Sequence, residues 1–435
     1  MRLPLRNPNA SSATPSRSAS RRSGLTERPA KLLLVIGSLC LFGPLCIDMY
    51  LPALPTIGVD LHAGTSSVQL SLTACLVGIA FGQILVGPLS DRFGRKRPLA
   101  IGLLVFIGAS LACAVAPGVV VLTGFRFLQG VGGAAGIVSS NAVVRDLFSG
   151  VRAARFFSRM VLVIGLGPVL APQIGAELLR ISSWRGVFVA LAILGAVLLV
   201  AAMSELPETL PLERRRRGGL SDTVDGMRRV LADRSFVANA LCCGFGFGAV
   251  FCYVSGSSFI LENLYGLSPQ HFSLIFAGNA CGLVAASQVN ARLVGRLGSS
   301  RLLNAGVVTL GLGALWLVMT VLFAPRALIT ILPPLFLVVT SVGLVAPNAT
   351  ALALNDFPDA AGSASAVLGV LQFSVGALVA PLVGLDGNRD ARPMALLIAM
   401  LAVAAGSCRA WSHLRASRTL DTPSIATTPS LQQER

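Results

Sequence analysis

The chain has 435 residues, of which 54% are hydrophobic and only 12% charged, and its mean hydropathy is +0.75. Too few polar side chains remain to cover a soluble globule of this size, so lipid is the solvent for most of it. A net charge of +16 suits a nucleic-acid binder only when the basic residues gather on one soluble face; here they follow the loops, and nucleic acid is excluded as a partner.

Residues 1–31 are rich in Ser, Arg and Pro and precede any apolar run, which predicts a disordered basic cytoplasmic tail. From Leu32 to His413, apolar stretches recur at 32–54, 67–89, 98–116, 118–141, 156–179, 185–204, 236–261, 270–291, 302–323, 327–347, 362–384 and 393–413. About 20 apolar residues cross the hydrocarbon core as a helix. These runs are too long and too continuously apolar for barrel strands, and backbone in lipid must satisfy its own hydrogen bonds, so twelve transmembrane helices in an all-α architecture are expected.

The second and third stretches are joined by Gly87-Pro88-Leu89-Ser90-Asp91-Arg92-Phe93-Gly94-Arg95-Lys96. Glycine permits a sharp turn and close helix approach, and a carboxylate beside a basic cluster can staple one helix end to a neighbour. Gly87, Asp91, Arg92, Gly94, Arg95 and Lys96 therefore read as a gate latch in which Asp91 meets the end of an adjacent helix. In the fourth stretch, Arg126 lies about 12 Å below the helix end at 1.5 Å per residue. An intramembrane guanidinium usually faces a cavity and finds a partner, and the candidate at similar depth is Asp48, close to the end of the first stretch. The fifth stretch carries Gly165, Gly167, Pro168 and Pro172, residues that bend a helix and pack it closely.

The longest internal polar segment, 205–235, separates a six-span half, 32–204, from a second, 236–413, and a further tail covers 414–435. The turn motif returns after the eighth stretch as Gly295-Arg296-Leu297-Gly298, without its acid. Two parallel six-helix halves are the layout of the major facilitator fold, with substrate bound between them. Of the 35 Lys and Arg residues, five (Arg180, Arg185, Arg326, Arg389 and Arg392) lie on one side, Arg126 lies within a span, and the rest fall on the other side. By the positive-inside rule both termini are cytoplasmic.

The nine cysteines lie in or at the ends of apolar stretches without CxxC spacing, and the histidines lack ligand spacing, so no metal or cofactor is expected. The spans hold no nucleophile constellation or paired carboxylates, and no Walker motif occurs; the chain reads as neither an enzyme nor a user of nucleotide.

Asp48-Met49-Tyr50-Leu51-Pro52-Ala53-Leu54-Pro55, the 87–96 turn, Arg126-Phe127-Leu128-Gln129-Gly130, Gly165-Leu166-Gly167-Pro168 with Pro172, Tyr253-Val254-Ser255-Gly256-Ser257, Pro347-Asn348-Ala349-Thr350 and Ala361-Gly362-Ser363-Ala364-Ser365-Ala366 together resemble the twelve-span drug:proton antiporters of the major facilitator superfamily, specifically the Bcr/CflA drug-resistance group. The resemblance runs from the first span to the last. It implies efflux of small amphiphilic drugs in exchange for protons across a bacterial inner membrane by a monomer, with Asp48 and Arg126 in proton coupling and Arg92, Arg95 and Lys96 holding the outward-facing state. The Gly165–Pro172 segment resembles the superfamily's antiporter motif, although Ala171 and Pro172 stand where its commonest form has glycines. The fold places Tyr253 and Asn348 in spans that line the substrate cavity. Where some relatives with cationic substrates carry an acid deeper in the first span, Cys40, Phe42 and Leu45 stand here, which favours neutral or zwitterionic substrates. An exporter or uniporter of a small endogenous metabolite is the alternative reading.

Overall fold

A computed structural model describes residues 29–148, 150–215, 220–323, 328–355, 357, 361–385 and 390–420. The first half comprises α1 (Pro29–Asp48), α2 (Leu54–Asp60), α3 (Thr65–Phe93), α4 (Lys96–Ala114), α5 (Val119–Leu147), α6 (Gly150–Ile181) and α7 (Trp184–Glu205). In the joining segment lies α8 (Leu220–Ala232), and the second half comprises α9 (Arg234–Ser258), α10 (Pro269–Leu297), α11 (Ser299–Phe323), α12 (Leu328–Leu354), α13 (Ala361–Val383) and α14 (Arg392–Leu420). Among the described residues there is no strand.

Among the described residues, eleven helical stretches are long and apolar enough to cross a membrane. The remaining long helix, α6, has 32 residues and carries Pro168 and Pro172. Apolar side chains face outward over the bundle, as at Val197 and Leu378 (58% and 71% exposed), where lipid rather than water is the favourable neighbour.

The most enclosed spans are those containing α9 (72% buried) and α1 (67%), against 33% for α10. They are the central helices, one from each half. The halves meet along two seams, α3 on α13 and α6 on α10. Both repeat turns end in the same backbone conformation, with φ at +90° for Gly94 and +78° for Gly298. A side chain is strained there, which explains why glycine closes both copies.

Most of the 1–31 tail lies outside the described residues, whereas α14 continues past His413 to Leu420. Within the linker, Val230 of α8 joins Phe236, Ala240, Ala364, Val367 and Leu368 in an apolar cluster of its own. That cluster ties α8 to the second half.

Candidate proton-coupling site and gate

The first span does not run straight through. After α1 ends at Asp48, a turn at Met49 and Tyr50 leads into a short 3-10 segment, Leu51–Ala53, and then α2. Pro52 and Pro55 lack the N–H groups that would bond the carbonyls of Asp48 and Leu51, so the helix cannot continue there. A broken helix at membrane depth is tolerated where protein or a cavity surrounds it. Here Leu51, Pro52 and Ala53 are buried and pack against α9 and α10 of the second half.

Arg126 is fully buried. Its Nη1 donates to the Cys46 carbonyl at 3.0 Å and to Gln129 Oε1 at 2.5 Å; Gln129 Nε2 donates to Ser110 Oγ at 2.7 Å, and Ser110 donates to the Phe106 carbonyl. The guanidinium also lies 4.5 Å from the Tyr50 ring centroid and 5.8 Å from that of Phe188. Tyr50 is oriented in turn by Ser71, at 2.7 Å, whose own proton goes to the Val68 carbonyl. A cation among neutral acceptors and ring faces is stabilised by charge–dipole and cation–π attraction, yet its Nε and Nη2 find no acceptor among the described residues.

The expected Arg126–Asp48 ion pair is absent among the described residues. Helix phase explains it. Cys46 and Tyr50 are four residues apart and share the face that covers Arg126, while Asp48 between them points about 200° away. Asp48 is 7% exposed, has no hydrogen bond among the described residues, and lies within electrostatic reach of Tyr253 across the seam. The carboxyl and the guanidinium thus occupy opposite sides of one span.

Tyr253 is buried, receives a hydrogen bond from Asn279 Nδ2 at 2.8 Å and stacks on Phe276. Asn348 lies in the α10–α12 contact, donating to Asn290 Oδ1 at 2.5 Å and to the Leu344 carbonyl at 2.8 Å. Of the α6 residues, Gly165 faces Val284 of α10 and Gly167 faces Leu41 and Pro44 of α1, so this helix is pressed between the first span and the other half. Pro172 offers its carbonyl to Ser273 at 3.0 Å, and Pro168 precedes it by one turn in the same helix.

At the end of the bundle that carries the 94–95 turn, the latch is built differently from the sequence reading. Asp91 pairs with Arg95 of its own turn at 2.6 Å, and it is Arg95 that reaches the neighbouring helix, bonding Asp146 near the end of α5 at 2.9 Å. Thr209 also donates to Asp146, at 2.7 Å. Glu208, from the segment after α7, accepts the backbone N–H of Arg95 at 2.8 Å and of Lys96 at 3.2 Å. The first turn of α4 has no cap of its own, and Glu208 supplies a carboxylate where its dipole and free N–H groups favour one. Lys96 Nζ completes the clasp on the Met203 carbonyl at 2.8 Å. Arg92 lies over the Phe93 ring instead. Gly87 meets nothing within 4 Å where a Cβ would stand, so this conformation does not itself require a glycine there.

Glu208→Ala is expected to raise amide exchange at Arg95 and Lys96 about tenfold, by removing acceptors from two otherwise free donors. Unchanged protection at those two amides, measured by hydrogen exchange, would refute the capping role.

Among the described residues, four hydrogen bonds join the halves at the opposite end: Gln69 Nε2 to the Ser255 carbonyl (3.0 Å), Thr73 Oγ1 to Ala377 (3.2 Å), Gln270 Nε2 to Ala176 (3.1 Å) and Ser273 Oγ to Pro172 (3.0 Å). Within the first half at this end, Gly175 of α6 approaches the turn after α1 so closely that a Cβ would stand 2.1 Å from the Met49 carbonyl oxygen. The seam is shut at this end.

The profile of the Major Facilitator Superfamily matches residues 36–381. The chain is 40% identical over 375 residues to the "Uncharacterized MFS-type transporter YdgK" of Bacillus subtilis, covering 86% of this chain and 92% of that protein. It is 31% identical to the "Bicyclomycin resistance protein homolog" of Haemophilus influenzae (83% and 91% covered) and 31% identical to the "Chloramphenicol resistance protein" of Pseudomonas aeruginosa (89% and 92%). Among solved structures, the xylose transporter XylE from E. coli in a partially occluded inward-open conformation superposes with a TM-score of 0.68 over 89% of this chain and 98% of that one, at 14% identity. At that identity the likeness speaks for the fold alone, and it agrees with the two six-helix halves described above. The chain belongs to the major facilitator superfamily, on its Bcr/CflA-like drug-resistance side, and is a membrane transporter rather than an enzyme.

Proposed function

We propose that this transporter exports small amphiphilic drugs across the bacterial inner membrane in exchange for protons, with both termini cytoplasmic, as a monomer of the Bcr/CflA type. The observation that carries the reading is Asp48: a carboxyl without a cation partner among the described residues, at a helix break, on the seam between halves that must separate. Intramembrane carboxyls in such positions are proton sites by default. Names of the relatives supply the drug class, and the basic loops supply the orientation.

On this reading Asp48 carries the proton and Arg126 is a positioning residue that holds the Cys46 carbonyl and so fixes the break that presents Asp48. When the seam opens, Asp48 meets water or drug; when it closes, Tyr253 returns beside it. Tyr253 is the residue of the second half placed to touch substrate at the same point. The Arg95–Asp146–Glu208 clasp keeps its end of the first half rigid while the halves rock. Proton binding and drug binding then compete for one seam, which is the requirement for exchange.

The test uses energised inverted vesicles, acidic inside, with chloramphenicol, bicyclomycin and a sulfonamide added in turn. Internal pH is expected to rise on addition of at least one drug. If none moves protons although the protein is folded, the reading gives way to a metabolite exporter or uniporter.

A further inference from the structure

We infer that Glu262 is a second proton-binding site, whose protonation accompanies closure of the seam at the end remote from the Arg95 clasp. The inference rests on the proton-coupled reading for its place in the cycle, but not for the proton binding itself.

The ninth helix does not stop at its expected end. It continues from Ser258 into a wide π-helical turn, Phe259–Leu264, that holds Glu262. Such wide turns displace side chains from the regular helical register and concentrate at functional sites. This one packs against α2 of the first half and against α10. The central helix of each half therefore ends irregularly at the seam, α1 in a 3-10 segment and α9 in a π turn, and each irregular end carries one carboxyl: Asp48 in the first half, Glu262 in the second.

Glu262 is half-buried; its Oε1 is fully enclosed and has no donor. No hydrogen bond or ion pair reaches it among the described residues. On the elements packed against it, the charged groups at this end are already engaged. Asp60 of α2 accepts from Arg185 at 2.6 Å and from Trp184 Nε1 at 2.8 Å. His271, in the first turn of α10, is bonded to Ser268 at 2.8 Å. From Ser235 to Leu261 the helix that carries Glu262 holds no charged residue. A carboxylate enclosed without donor or cation is costly, and the neutral acid is much less so. Closure of α2 over the π turn therefore selects the protonated form, and opening returns the group to water, where it releases the proton.

The experiment measures hydrogen exchange in 51–60 and 259–264, corrected for intrinsic exchange chemistry, on the full-length protein in lipid nanodiscs between pH 5.5 and 8.5, without drug. In the wild type, protection of both segments is expected to fall as pH rises and Glu262 ionises. Glu262→Gln, a permanently neutral isostere, is expected to hold both segments protected across the range, about tenfold above wild type at the alkaline end. Asp48→Asn is expected to keep the Glu262-dependent step. A pH step that survives in Glu262→Gln, or that vanishes in Asp48→Asn while Glu262 is intact, overturns the proposal. If Glu262→Gln expresses poorly, Glu262→Asp serves instead: it must retain a pH step, and its absence equally refutes the site. Failure of drug-driven proton movement in vesicles would strike the transport reading and leave this measurement standing.

Discussion

Asp48→Asn is expected to abolish drug-driven proton release from inverted vesicles while leaving the protein folded. Asparagine keeps the size of the side chain and cannot carry a proton, and Asp48 makes no hydrogen bond or ion pair, among the described residues, whose loss would disturb packing. The predicted signature is a reduction of roughly tenfold or more in the internal pH change, with drug binding retained, since coupling rather than shape is removed. Arg126→Leu is the companion measurement. It strips the Cys46 carbonyl and Gln129 of their shared donor, so it should lower thermal stability as well as transport. If Asp48→Asn exports drug uphill as well as wild type, the proton carrier lies elsewhere and Glu262 becomes the first candidate.

The second large effect belongs to backbone contact in the first half. A Cβ on Gly78 of α3 would stand 2.1 Å from the Phe127 carbonyl oxygen, and one on Gly130 of α5 would stand 2.1 Å from that of Cys75. Two helix backbones touch at both points, a spacing that only glycine permits. Gly78→Val and Gly130→Val are each expected to cost on the order of 3 kcal/mol through overpacking against backbone, which cannot rotate away as a side chain can. Because Gly130 lies one turn from Arg126, transport should fall with the folded fraction. The internal control is Gly108→Ala in α4, where nothing lies within 4 Å and the change should be neutral or mildly stabilising. Thermal unfolding in detergent reads both; equal transition temperatures for Gly130→Val and Gly108→Ala would sink the contact argument.

The helices were legible because lipid demands a length and an apolarity that a sequence displays directly. The paired turns were legible too, since Gly94 and Gly298 stand where only glycine is comfortable, and the structure gives both a positive φ. What escaped was phase and tertiary reach. Asp48 and Arg126 match in depth, but depth along a span says nothing about which side of α1 a residue faces, and Cys46 with Tyr50 took the side toward Arg126. Glu208 caps a helix that begins 112 residues earlier, and no local pattern announces a cap supplied from that distance. Glu262 was passed over because the apolar run stops at Leu261 while the helix goes on as a π turn. In the linker, the spacing of Val224, Met227 and Val230 was a helical signal that the surrounding arginines obscured.

The bonds across the closed seam run from neutral side chains to backbone carbonyls. Apart from that of Ala377, whose helical donor position is taken by Pro381, those carbonyls sit in helices that can hold them without help, so separating the halves strands a single acceptor and, among the described residues, parts no opposite charges. Salt screens ion pairs but has little purchase on such contacts. The turnover of this transporter should therefore be nearly indifferent to ionic strength, and substitutions among the residues that lend only their carbonyls should be forgiven as long as the helix persists.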